Sequence, residues 1–243
     1  MTFTDELLDA LGAWQRGWKA DEILKLPVTE HLVREAAMLP PGFRAVPEVC
    51  FRKRFLFKKD MEALIMLGGL DDGVASWSTD RAFTMGFKGL VMQEAATAVY
   101  FEHRPLPGEV IVNYPALWTN TEFRAAAEDY RRRGGREARA LFNFVDKQSE
   151  IILHARLHLD EVKGMVGASS SFDAICDEAG VVGDDDQDRL FKVLTDRGIF
   201  FESPHWISEE RTRRVFENTR LKFLERNAAL IEAAAAARKA KRS

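Results

Sequence analysis

Three short stretches of the chain hold residue types that can do chemistry. Arg52 lies in VCFRKRF, and a planar guanidinium makes two-pronged bonds to phosphate oxygens that a lysine cannot copy. Ser76-Trp77-Ser78-Thr79-Asp80 offers hydroxyls where a strand runs into a helix reaching Phe87. Gln148-Ser149-Glu150 opens a later strand, so its amide and carboxylate, two residues apart, face the same way. Taken singly, each has an ordinary explanation: a surface arginine, a Ser-Thr helix cap, a chance QxE. Their order along the chain makes them one candidate site.

Other chemistries lack their signatures. The sequence contains no GxGxxG, GxxxxGK[ST], HExxH or GxSxG. The five histidines are dispersed, and His154 and His158 fall in a segment that reads as a strand. There they share a face but stand too far apart for one ion, so no metal is expected.

In their order, the three stretches resemble the Arg … Ser-Thr-Ser … Gln-x-Glu pattern of the mono-ADP-ribosyltransferases. SWSTDRAFTMGF is similar to the bacterial versions reading S-W-[ST]-T-D before a helix that ends in Phe. The resemblance covers about residues 45–165, with Asp80 where the family often has a third hydroxyl. It implies NAD as co-substrate, cleavage of the nicotinamide–ribose bond through an oxocarbenium-like sugar, and transfer of ADP-ribose to a macromolecular acceptor. Such a transition state needs a carboxylate near the developing positive charge. The resemblance gives that role to Glu150, together with the ribose 2′-hydroxyl. It implies that Arg52 grips the pyrophosphate, favoured over Arg54 because it follows the aromatic Phe51. Ser78 and Thr79 would order the NAD pocket and hydrogen-bond the carboxylate, and Phe87 would be a core or pocket-wall residue.

Gln148 would meet the acceptor, and Gln in place of Glu there disfavours arginine. Phe142 and Phe144 are further acceptor contacts, although core packing explains one of them equally well. Protein and nucleic acid (RNA or DNA) both stand as acceptor. Arg131-Arg132-Arg133, Arg136 and Arg139 beside the two aromatics suit a nucleic acid, whereas a helix C-terminus also attracts cations. A NAD glycohydrolase using water and a catalytically idle binding module are the alternatives. A toxin or defence effector fits the resemblance, with the C-terminal helices as the place for a neutralising or regulatory partner.

The elements that must position these residues read as an α+β arrangement: helices first, several short strands between 47 and 160, then a helical tail. The resemblance implies a split β-sheet core of the ADP-ribosyltransferase type. Residues 1–45 form the N-terminal helical region, 46–168 the transferase core, and 169–243 an acidic linker and helical extension. Leu7, Leu8, Leu11, Trp14 and Trp18 share one face of a first helix capped by Thr4. A second helix follows Thr29 and stops at Pro40-Pro41-Gly42. Val49, Phe51, Phe55 and Phe57 fit a strand, 60–68 a short helix or turn, and 74–79 another strand. Asp80 opens a helix to about Lys88, and 90–100 is apolar enough for either a strand or a helix. EVIVNY is a strand, Thr121–Arg133 a helix with Phe123, Ala127 and Tyr130 inward, and 149–159 a strand. Helices are expected over 187–197 and 208–237, with Phe216, Phe223, Leu224, Leu230 and Ile231 on one stripe.

Composition bounds the function. The 243 residues are 46% hydrophobic and 30% charged with net charge −3, which excludes a disordered chain or a disulfide scaffold. Residues 211–243 carry ten Lys/Arg against three Glu, so this end is basic and the remainder acidic. The acid peak, 172–188, has seven carboxylates and no basic residue, the pattern of a solvated linker. The basic end keeps a terminal helix soluble or touches phosphates. Cys50 and Cys176 lack metal spacing and read as reduced thiols, no apolar run reaches bilayer length, and the N-terminus lacks a leader pattern. Cytoplasmic placement is the expectation.

Overall fold

The computed structural model describes residues 2–17, 22–143, 149–167, 175–176, 179–198 and 204–240. The chain is mixed α/β with antiparallel strand pairing, as an α+β reading requires. It divides into two compact units, the first made of Met1–Lys53, Gly69–Phe87 and Phe101–Glu161, the second of the remainder.

The first unit holds the candidate site. Its strands, in the order β4-β5-β2-β1-β3, are β1 (Cys50–Leu56), β2 (Gly69–Ser78), β3 (Thr97–His103), β4 (Val110–Asn113) and β5 (Glu150–His158). Residues 50–53 of β1 and 101–103 of β3 belong here, and the rest of both strands to the second unit. β2 and β5 pair from Gly69 opposite His158 to Ser78 opposite Glu150, with a bulge between Asp71 and Val74. Phe51 of β1 stands opposite Ser78. The three sequence stretches therefore lie on three neighbouring strands, β1, β2 and β5.

Helices pack on this sheet because their apolar residues recur at helical spacing. Helix α1 (Asp5–Arg16) starts where Thr4 Oγ1 accepts the Leu7 N–H at 3.2 Å and ends at Gly17, φ 68°. Leu7, Leu8, Leu11 and Trp14 are buried as their spacing predicts; Trp18 lies outside the described residues. Burying each such side chain is worth about 1.5–3 kcal/mol. Gly12 is required for close approach: a Cβ there would sit 2.6 Å from the Glu137 backbone oxygen. Helix α2 (Glu22–Ala36) begins well before Thr29 and carries Pro27 in its interior. Thr29 is no N-cap, since its hydroxyl donates back to the Lys25 carbonyl at 2.8 Å. Helix α4 (Arg81–Gly86) starts on Asp80, whose carboxylate accepts the Phe83 N–H at 2.9 Å, and closes at Phe87, earlier than expected. Helices α5 (Tyr114–Thr119), α6 (Thr121–Arg132) and α7 (Ala138–Leu141) complete the layer. Phe123, Ala127 and Tyr130 of α6 are buried in one cluster with α1, α2, Val74 and Ile152.

The second unit contains α3 (Lys58–Leu67), β6 (Val162–Gly167), α8 (Asp184–Asp196), β7 (His205–Trp206) and α9 (Glu209–Ala240). Its strand order is β1-β3-β6-β7. A small core joins Phe55, Ala98 and Val166 to Leu90, Ala95 and Trp206. The open question of residues 90–100 resolves as irregular chain followed by β3 from Thr97. On α9, Phe216 is buried, whereas Leu224 of the expected stripe is 45% exposed. Among the described residues, no helix is long and apolar enough to cross a membrane.

His103, buried on β3, binds Glu161 through Nδ1 at 2.6 Å and Glu109 through Nε2 at 2.8 Å. The bond to Glu161, and then that to Glu109, raise its pKa above the ordinary 6.5 against the opposing effect of burial. Its stabilising contribution is therefore complete below the ordinary histidine range and disappears as pH rises through the raised value. Melting curves from pH 5 to 9 should show His103→Gln least stable, relative to wild type, at the acidic end. A pH-independent difference would refute this pairing.

Candidate active site

Glu150 is the first residue of β5, and its carboxylate is buried with only 6% of the residue exposed. Its oxygens are met by three donors from two other elements. Ser76 Oγ, on β2, donates to Oε1 at 2.5 Å. Trp14 Nε1, on α1, donates to the same oxygen at 3.2 Å, and Gln15 Nε2 donates to Oε2. Burial raises the pKa of Glu150, and the bonds from Ser76, Gln15 and Trp14 partly offset that rise. Buried carboxylates need such partners, because desolvation penalises the charged form.

A pocket of about 290 Å³ opens beside the carboxylate, lined by Gln15, Tyr114, Pro115, Trp118, Leu141, Ser149 and Glu150. Much of that space is open solvent, and the enclosed part is of the order of a single water. Ser149 holds φ 42°, a left-handed value uncommon for a residue with a side chain, immediately before Glu150. Its carbonyl accepts the Thr79 N–H at 3.2 Å, which ties the end of β2 to the start of β5.

The predicted residues fall into distinct places. Arg52 is engaged within the protein. Its Nε donates to Asp72 at 2.6 Å, Nη2 pairs with the same carboxylate, and Nη1 donates to the Ser76 carbonyl at 2.6 Å. A phosphate would have to displace Asp72 to meet the same fork. Ser78 stands opposite Glu150 in the register, and its hydroxyl accepts the Asp80 N–H at 3.0 Å. The hydroxyl that bonds the carboxylate is thus that of Ser76, two residues earlier on the same strand face. Phe87 is 44% exposed, which excludes a core role, and its ring lies 5.3 Å from Phe83. Its carbonyl accepts Lys53 Nζ at 2.5 Å.

Phe142 packs against Trp118 at 5.1 Å, with the Arg131 guanidinium 4.6 Å over its ring. It is partly buried against the main core, so packing accounts for it. Gln148 and Phe144 lie outside the described residues. The arginine run is already paired: Arg131 with Glu128, Arg132 with Asp129, Arg133 with Asp5 and Asp129, and Arg136 with Asp9. His154 and His158 are exposed on β5, and among the described residues no group of His, Cys, Asp and Glu could hold a metal ion.

Sequence reasoning missed Ser76, Trp14 and Gln15 as partners of Glu150. Ser76 lies in SWSTD, and register alone would select Ser78, which stands opposite Glu150; the direction of the Glu150 side chain selects Ser76 instead. Ser76→Ala should lower any activity that depends on Glu150 by on the order of tenfold or more, the scale of one hydrogen bond to a charge. Ser78→Ala should lower it less. The reverse ranking, read from rates on matched preparations, would reassign the hydroxyl.

Comparison with protein-family models, curated proteins and solved structures finds no match to this chain.

Proposed function

We propose that the chain is a mono-ADP-ribosyltransferase that uses NAD as co-substrate, with the split-sheet core of that family in residues 46–168. The observation that carries the reading is the convergence of Arg52 and Glu150 on Ser76. The arginine bonds its carbonyl, and the carboxylate accepts from its hydroxyl. Three stretches distant in sequence thereby become one connected group across β1, β2 and β5.

The chemistry follows from the carboxylate. Breaking the nicotinamide–ribose bond sends its electron pair to nicotinamide and leaves positive charge on the sugar. An ionised Glu150, preorganised by three donors in a water-poor setting, stabilises that charge without reorganising. Tyr114 and Trp118 line the recess beside it, which would have to widen to admit a planar ring between them. Arg52 would act by holding Ser76, and on the pyrophosphate only by releasing Asp72. An acceptor nucleophile then bonds the ribose carbon and loses its proton; Gln148 and Phe144 are proposed to meet that acceptor. A protein or a nucleic acid both suit the role, and Arg131–Arg133 and Arg136, though exposed, each pair with a neighbouring carboxylate that reduces the local positive charge.

Incubating the protein with adenylate-labelled NAD and cell lysate tests the proposal. The label should enter macromolecules and be released by either protease or nuclease, which names the acceptor class. Label recovered only as free ADP-ribose would make the chain a NAD glycohydrolase. Unchanged NAD would leave only the binding-module alternative.

A further inference from the structure

Resting on the transferase reading for its catalytic consequence, we infer that Trp14 and Gln15 of α1 are positioning residues that hold the Glu150 carboxylate in one orientation, so that the N-terminal helix completes the site. Neither belongs to the three motif stretches, and they stand 136 and 135 residues from Glu150 in sequence.

Donor counting fixes the arrangement. The Tyr114 hydroxyl donates to the Leu11 carbonyl at 3.0 Å, so its oxygen is left to accept. Gln15 Nε2 donates to Glu150 Oε2. Flipping the amide would set its oxygen against a carboxylate oxygen, so its orientation is determined. Trp14 has a single N–H, shared between Glu150 Oε1 at 3.2 Å and Ser76 Oγ at 3.3 Å, and the Ser76 hydroxyl itself donates to Oε1. Donors therefore reach both oxygens of Glu150, and rotation of its carboxyl group would break bonds on either side.

The platform carrying these donors is itself rigid. α1 buries Leu7, Leu8, Leu11 and Trp14, and Gly12 lets it lie directly against Glu137. The Tyr114–Leu11 bond ties it to α5. A helix needed only for packing could present Phe and Met at positions 14 and 15. Polar N–H groups aimed at one buried charge are what positioning requires.

Trp14→Phe and Gln15→Met each remove donors while keeping bulk, with Gln15→Asn as a shorter amide in case Met perturbs folding. Glutamate labelled with ¹³C at the carboxyl carbon reports the titration midpoint of Glu150, assigned by the signal that vanishes in Glu150→Gln. Each variant should move that midpoint upward, and the double variant further. The pH profile of nicotinamide release should shift the same way. At neutral pH kcat should fall about tenfold, with KM for NAD changed by less than about twofold. A midpoint that stays in place in all three variants overturns the inference, including when melting temperatures fall, because that is the signature of packing alone. A midpoint that moves while no form of the protein releases nicotinamide keeps the positioning role and defeats the transferase reading instead.

Discussion

Glu150→Gln should lower nicotinamide release by about a hundredfold or more with the fold retained, the scale of losing one preorganised electrostatic group. The substitution keeps side-chain size and leaves one oxygen to accept from Ser76 and Trp14. It removes the charge that faces the developing oxocarbenium ion. On the other side, an amide nitrogen now meets the Gln15 nitrogen, donor against donor, so a small local adjustment is expected without unfolding. A second signature follows from the raised pKa of the wild-type carboxylate. The folded state binds its proton more tightly than the unfolded chain, so wild-type stability falls as pH rises from the ordinary carboxylate range through the raised value. Glu150→Gln lacks that slope. Calorimetric melting at several pH values, run beside the rate assay, checks both. Near-normal release by a folded Glu150→Gln would remove Glu150 from the chemistry.

Phe123→Ala should cost about 3–5 kcal/mol, the usual range for truncating a fully buried aromatic. Phe123 has no exposed surface, and its ring meets Phe3 at 5.3 Å and Trp118 at 5.0 Å, both edge to face. It joins α6 to α5 and to the residues just ahead of α1, the helix that carries Trp14 and Gln15. For a chain of this size the loss corresponds to roughly 10 °C in melting temperature. Residual activity below the transition should fall as well, because Trp118 lines the pocket and leans on Phe123. A shift of less than about 2 °C would show that the core closes around the gap.

Local chemistry in the sequence gave reliable expectations where one residue type decides the outcome. Asp80 caps α4 through its own side chain, the β-branched run in EVIVNY forms a strand, buried over Val110–Asn113, and Phe123, Ala127 and Tyr130 fall on one helical face. The exceptions have physical causes. The strand expected over 74–79 starts earlier, at Gly69, because a bulge between Asp71 and Val74 carries the pairing through Asp71-Asp72-Gly73. Thr29, after which a helix is expected, instead lies within α2. Residues 90–100 carry no period, so composition could not divide irregular chain from strand. At the site, QxE and the serine stretch were visible, but their pairing was not. Ser76 and Ser78 lie on one strand face, and although Ser78 is opposite Glu150, the carboxylate leans along the sheet to Ser76, which no local pattern reveals. Trp14 looks like one more apolar residue on an amphipathic helix, and nothing local reveals that its N–H meets a charge on a distant strand. Arg52 was legible as a functional type, but its engagement by Asp72 depends on the same bulge in β2.

Purified wild-type protein incubated with NAD carrying one label in the nicotinamide ring and another in the adenylate tests the central claim most directly. The nicotinamide label should appear as free nicotinamide at a rate proportional to protein, while the adenylate label stays attached to the ribose. No release above the buffer rate, with protein and RNA acceptors supplied, would contradict the account, as would cleavage at the pyrophosphate.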